Sequence, residues 1–282
     1  IILPPNTYLL TQVAELRITG NLTITGGGAS TTIISAGIES QLLVISSGVA
    51  VNLSGVTVFG PGILGSGISN SGTLTLTGST VSHASTGGIF NNGTATLINS
   101  TVSGNANLGG ITNSGTVTLI NSTVSGNFSA RGGGIRNSGT LTLINSTVSG
   151  NFAIENGGGI FNSGTANLFN ATITNNQAGS SGSSSSSGSL GSGGGVFNAS
   201  GATFNFQNSI VAGNFETVGM PAPPPINTIF VSTPGECDGT INSIGSNLMA
   251  IADCTVSGST PILGDPNLGP LQNNGGPTQT HA

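Results

Sequence analysis

Short runs in which apolar and small polar residues alternate recur through the middle of the chain, each bounded by Asn-Ser-Gly or Ser-Gly-Asn. The runs GIxN, TxTLI and STVS return in that order, and GITNSGTVTLINSTVSGN, Gly110 to Asn127, is one copy of the unit. Alternation with period two marks strands, and the bounding triplets are turn chemistry. Aligned at Gly67, Gly88, Gly110, Gly134, Gly159 and Gly195, successive copies lie 21, 22, 24, 25 and 36 residues apart. A repeat in this range signals a solenoid. No copy holds ten residues of 3.6-residue periodicity, which disfavours leucine-rich and helical repeats. The expected architecture is all-β: a parallel β-helix with three strands per coil.

Equivalent positions assign the inward side chains. Ile68, Ile89, Ile111, Ile135, Ile160 and Val196 form one column, Leu76, Leu97, Leu119, Leu143, Leu168 and Phe206 a second, and Val81, Val102, Val124, Val148, Ile173 and Val211 a third. With coils ~4.8 Å apart, each column is continuous and apolar. Three asparagine series recur in register at the bends: Asn70, Asn91, Asn113, Asn137, Asn162 and Asn198; Asn99, Asn121, Asn145, Asn170 and Asn208; and Asn105, Asn127, Asn151, Asn176 and Asn214. At that spacing a carboxamide can donate to one neighbouring coil and accept from the other, so the asparagines are expected to form structural ladders.

The units GGIFNNGTATLINSTVSGN and GGGIRNSGTLTLINSTVSGN resemble the repeats of secreted bacterial right-handed parallel β-helix proteins of the pectate-lyase-like superfamily, including polymorphic outer-membrane and adhesin-like members. The tail, with Cys237, NSIGSNL, Cys254 and GDPNLGPLQNNGGPTQTHA, is similar to the end of the β-helix region in bacterial surface proteins that carry interchangeable C-terminal anchors. The resemblance implies a right-handed β-helix on a bacterial cell surface, with a structural or adhesive role.

Residues 1–215 are expected to form the β-helix, with degenerate coils over 1–66, regular coils over 67–215 and a Gly/Ser-rich loop at 178–194. About nine coils would give roughly 40 Å of regular stack. Insertions lengthen the repeat at one corner, after each Ser-Gly-Asn. Residues 216–282 are expected to cap or extend the far end, because prolines in MPAPPPINT lack the ladder donor of an inner strand. The opening IILPPNTYLL reads as strand and turn, which suggests that a leader has been removed or that the chain is part of a longer precursor.

The 282 residues include three arginines, no lysine and eight acids, for a net charge of −5. So few cations exclude nucleic acid as a partner, since neutralising phosphates takes several. No run of eighteen apolar residues is present to span a membrane. The only cysteines, Cys237 and Cys254, enclose a Gly- and Asn-rich loop outside the regular repeats. A disulfide between them is expected, against two free buried thiols, and would suit a secreted protein.

The residues make a weak case for catalysis, and no cofactor or metal is implied. Inverting glycoside hydrolysis needs paired carboxylates ~6.5–9.5 Å apart, and a lyase needs clustered carboxylates for calcium beside a base. The eight acids do not fall at equivalent positions of adjacent regular coils. Arg131, Arg136 and Glu155 gather near one corner and read as a solvated ion pair. Glu236, Asp238 and Asp253 lie near the cysteines, where they could hold an ion.

Two further readings concern surfaces. Thr73 and Thr75, Thr94 and Thr96, Thr116 and Thr118, and Thr140 and Thr142 form a two-column outward array resembling the flat faces of ice-binding β-solenoids. Threonine as a soluble, β-favouring filler explains the same letters. Ile1, Ile2, Leu3, Tyr8, Leu9 and Leu10 could add to a neighbour's open strand edge and build head-to-tail filaments. The expected partner is therefore another copy of the chain or an extracellular surface or carbohydrate. A polysaccharide lyase, hydrolase or non-catalytic carbohydrate-binding module remains the enzyme-side alternative.

Overall fold

The computed structural model describes residues 1–11, 15–36, 42–60, 67–179, 190–221 and 228–282. Every regular element among them is a β-strand, and the chain winds through three long sheets in turn. One coil contains Ile111–Asn113 in the third sheet, Thr116–Ile120 in the first and Thr123–Ser125 in the second. Among the described residues, the first and second sheets have eleven strands each and the third has nine, close to the expected nine coils. Coils pair in parallel and in register, with Leu97 opposite Leu119 and Leu119 opposite Leu143.

The register makes like stack on like. All three expected columns face inward and are buried, and a fourth joins them: Leu74, Ala95, Val117, Leu141, Ala166 and Phe204. From Ala50–Ser54 onward, each five-residue strand of the first sheet thus sends its second and fourth side chains into the core. A serine row, Ser79, Ser100, Ser122 and Ser146, is also buried. Each of the first three donates its backbone N–H to the next serine's Oγ, at 3.1–3.2 Å.

Two of the asparagine series are buried ladders. Asn70 through Asn198 are joined by Nδ2–H donation to the next Oδ1 at 2.7–2.8 Å. Asn105 through Asn214 are joined likewise at 2.9 Å. Both donate toward higher residue numbers. The third series turns an outer corner with φ of +48° to +53°, a left-handed conformation that asparagine tolerates better than most residues. There Asn121, Asn145 and Asn170 donate in the reverse direction at 3.0–3.3 Å. Asn208 keeps the conformation at φ +50° but makes no amide bond to Asn170, so this expected ladder ends one residue early. Its exposed corner leaves the amide to solvent.

The growing insertions build a fourth, side sheet from Phe128–Ser129, Phe152–Ala153, Gln177–Ala178 and an antiparallel hairpin, Phe215–Pro221 with Thr228–Pro234. Most of the Gly/Ser-rich loop, 180–189, and the proline-rich 222–227 lie outside the described residues. Beyond the hairpin the chain re-enters the solenoid. Cys237–Asp238, Thr240–Ile244 and Leu248–Met249 add one strand to each long sheet, and Thr255–Gly258 and Ile262–Leu263 add two more. Ile241 and Met249 extend the inner columns, so the residues beyond the hairpin continue the solenoid. The last stretch then folds back along the second sheet. There Thr123 Oγ1 donates to Gln279 O at 2.7 Å and Thr278 Oγ1 to Asn121 O at 3.2 Å.

Candidate functional site

Three outward faces and one coil junction carry the candidate residues. The first sheet exposes Thr73, Thr94, Thr116 and Thr140 in one column and half-buries Thr75, Thr96, Thr118 and Thr142 in the next. Register pairs each threonine with its equivalent in the following coil. The second column changes to Asn167, Asn205 and Asn242, joined by amide bonds of 2.9 Å. A third outward column, Ile98, Ile120, Ile144 and Phe169, lies beside the threonines. Sequence reading missed it because its isoleucines directly follow inward leucines and look like core. No outward residue of this sheet is ionisable among the described residues.

The second sheet also points threonine and serine outward, but the returning tail covers part of it. Thr123, Thr147, Ser149 and Thr174 are buried, and Ser149 Oγ lies 2.8 Å from His281 Nε2. The two hydroxyl faces, alike in sequence, are therefore different surfaces.

The third sheet presents Phe90, Thr112, Arg136, Phe161, Phe197 and Asp238 in one outward column. Phe161 and Phe197 stack at 5.1 Å between ring centroids. At the adjoining corner Arg131 pairs with Glu155, as expected, and Arg136 lies close by. A cavity of about 200 Å³ is lined by Asn107, Leu108, Ser129, Ala130, Arg131, Arg136 and Glu155.

At the last full coil, Cys237 and Cys254 form the expected disulfide, with Cα atoms 5.4 Å apart. Beside it Glu236 solves a packing problem. In the regular coils a glycine stands at this place because the asparagine of the same coil fills the space; a Cβ on Gly195 would lie 2.8 Å from Asn214 Nδ2. In the last coil the pair is exchanged. Glutamate replaces the glycine and Ala252 stands where the register would put an asparagine. The Glu236 carboxylate accepts from Asn214 Nδ2 at 2.6 Å and from the backbone N–H groups of Gly213 and Asn214 at 2.8 and 3.2 Å. Asn214 Nδ2 also donates to Ile173 O at 3.0 Å, and Glu236 takes the place of the next asparagine at the end of this ladder.

Asp253 in turn accepts from the N–H groups of Glu236 and Cys237, at 2.7 and 3.1 Å. Burial raises the pKa of Glu236, against the hydrogen bonds from Asn214 and Gly213, and nearby Asp253 adds to the rise. Asp253 is likewise raised by burial, and Glu216 by burial with help from the charges of Asp253 and Asp238. Asp253 also lies close to both cysteine sulfurs, but the disulfide occupies them, so they are not free to ligate a metal.

Ile2–Leu3 and Asn6–Leu10 are edge strands of the first and second sheets. Ile1, Ile2 and Leu9 are exposed, while Leu3 and Leu10 pack partly on the core. The Tyr8 hydroxyl donates to Pro4 O at 2.9 Å. No helix among the described residues is long and apolar enough to cross a membrane. No known protein family, curated protein or solved structure matches the chain.

Proposed function

We propose that this protein is a rigid extracellular solenoid with a structural or adhesive role, acting by presenting long repetitive faces to other surfaces rather than by catalysis. The observation that carries this reading is the outward face of the first sheet. It is a regular field of threonine, asparagine and isoleucine without ionisable side chains among the described residues. A disulfide is compatible with life outside the cell. The clustered carboxylates that would tempt an enzymatic reading act as acceptors for backbone and ladder N–H groups at the coil junction. Glu155 is held by Arg131.

The test has two parts. Negative-stain microscopy at several concentrations should show rods; regular filaments would make end-to-end self-association the structural role. Beads coated with the protein should then attach to immobilised glycans or matrix proteins more than bare beads do. The double variant Thr96→Lys/Thr118→Lys should reduce that attachment. Particles that neither assemble nor attach would remove the proposal.

A second reading, ice binding, is favoured by one specific observation: the tail covers part of the second sheet's hydroxyl face, while the first sheet's threonine lattice stays open. Alternate residues ~6.6–7 Å apart along a strand and coils ~4.8 Å apart make that lattice flat and regular. Thermal hysteresis in the wild type that disappears in the same double variant would support it. No hysteresis at millimolar protein would remove it.

A further inference from the structure

The corner cavity has a cause in the sequence. The coil beginning at Gly88 has only the short insertion around Ala106 to Leu108, whereas the next two carry SARGG and AIENGG. The side sheet therefore begins abruptly at Phe128–Ser129, which the preceding segment meets through an isolated bridge between Leu108 and Ser129 and backbone hydrogen bonds of Phe128 with Asn105 and Gly109. The step between a narrow coil and a wider one leaves the hollow.

Its charge is unusual for this molecule. The chain has three arginines, and two of them line this one cavity. Arg17 pairs with Glu15 and Arg131 with Glu155, so Arg136 is the arginine without an acidic partner among the described residues. Its side chain is exposed, and its neighbours along the outward column are Thr112 and half-buried Phe161, whose ring is backed by Phe197. A free guanidinium offers a planar fork of donors to a carboxylate or sulfate. The adjacent aromatic face offers an apolar surface to the C–H groups of a sugar ring. The hollow is smaller than the ~300–1,000 Å³ of sites for drug-sized ligands, which suits a single ring. Arg131 is already paired with Glu155, so Arg136 supplies the one unpaired positive charge of this cavity, which matches a ligand with one anionic group.

We propose that this cavity binds one acidic sugar, a carboxylated or sulfated pyranose at the end of an otherwise neutral glycan. Arg136 holds the anionic group, the Arg131–Glu155 pair forms the far wall, and Phe161, next to Arg136 on the outward column but outside the cavity lining, flanks the site from the neighbouring coil. The proposal rests on the adhesive reading and gives it a ligand class.

The test is titration of the full chain, by saturation-transfer NMR and calorimetry, with methyl β-glucuronide, the 6-sulfate of methyl β-glucoside and uncharged methyl β-glucoside. At least one charged sugar should bind, ten times or more tighter than the uncharged one, and which of them does identifies carboxylate or sulfate as the recognised group. Arg136→Gln should weaken that binding at least tenfold with an unchanged melting curve, while Arg17→Gln should leave it intact. Absence of binding by either charged sugar, or equal binding by Arg136→Gln, overturns the proposal. So does acetate or sulfate ion binding as tightly as the sugar, which would reduce the site to simple ion capture. Beads that attach while these sugars do not bind would overturn this site alone; sugars that bind while beads attach to nothing would overturn adhesion alone.

Discussion

Replacing Asn113 should damage the protein far more than replacing Asn145, although the two occupy similar letters of the same repeat. Asn113 is buried, and its carboxamide has five hydrogen-bond partners, the two Nδ2 hydrogens being shared among three acceptors. It donates to Asn137 Oδ1 at 2.7 Å, Thr140 O at 3.0 Å and Gly115 O at 3.2 Å. It accepts from Asn91 Nδ2 at 2.8 Å and Gly115 N at 3.1 Å. At ~1 kcal/mol net per bond, with Asn91 keeping its bonds to Gly93 O and Thr116 O, Asn113→Ala should cost about 3–5 kcal/mol. Asn113→Asp should cost more, because a buried anion would face three acceptor oxygens. Asn145 is exposed, so water competes with its two amide bonds of 3.0 and 3.2 Å, and it holds its place by conformation, at φ +48°. Asn145→Gly should therefore change stability by less than ~0.5 kcal/mol, whereas Asn145→Ala should cost ~1–2 kcal/mol for a left-handed Cβ. Urea unfolding followed by circular dichroism, read as the midpoint at constant slope, measures all four variants. If Asn113→Ala unfolds no earlier than Asn145→Gly, the buried ladder does not stabilise the stack and the reasoning is wrong.

Other outcomes follow from the coil junction and the serine row. Glu216, Glu236 and Asp253 hold raised pKa values, so the folded state binds protons more tightly than the unfolded one. Stability should thus fall as pH rises from the ordinary glutamate value of 4.5 through the raised range, and urea midpoints at pH 5 and pH 8 should show it. A midpoint that rises over this interval would contradict the burial assigned to these groups. Ala171 interrupts the serine row between Ser146 and Ser209 while lying buried, so Ala171→Ser supplies an acceptor for Ser146 N–H and should gain ~1 kcal/mol by thermal melting. Opening the disulfide by Cys237→Ala/Cys254→Ala releases a crosslink with a sequence separation of 17 residues and should cost ~3 kcal/mol, seen as faster hydrogen exchange in the final coils first.

The solenoid was legible because its letters repeat in register: a column such as Ile68, Ile89 and Ile111 needs no knowledge of distant contacts. The fourth core column was harder to read because Ala95 and Ala166 interrupt its large residues. The serine row hid among residues that look like polar filler. Asn99 and its equivalents look like the buried asparagines, and only the backbone shows that φ rather than burial selects them. Glu236 carries no local sign of its role, because its meaning depends on the absence of asparagine at position 252. The tail's place on the second sheet joins Thr123 to Gln279, a contact that no repeat pattern encodes.

The one-way donation of the buried ladders makes length an adjustable quantity of this fold. Each asparagine hands a proton donor forward and presents an acceptor behind, so any coil from Gly88 to Asn214 could be removed or duplicated and the remaining amides would still meet. Only the last donors need different partners: Asn198 meets Ala202 O and Thr240 O, and the exchange of glycine and asparagine for Glu236 and Ala252 provides one for Asn214. The rod thus has a repeatable middle and a dedicated terminator, and a shortened or lengthened version should stay whole so long as Asn214 still faces that carboxylate.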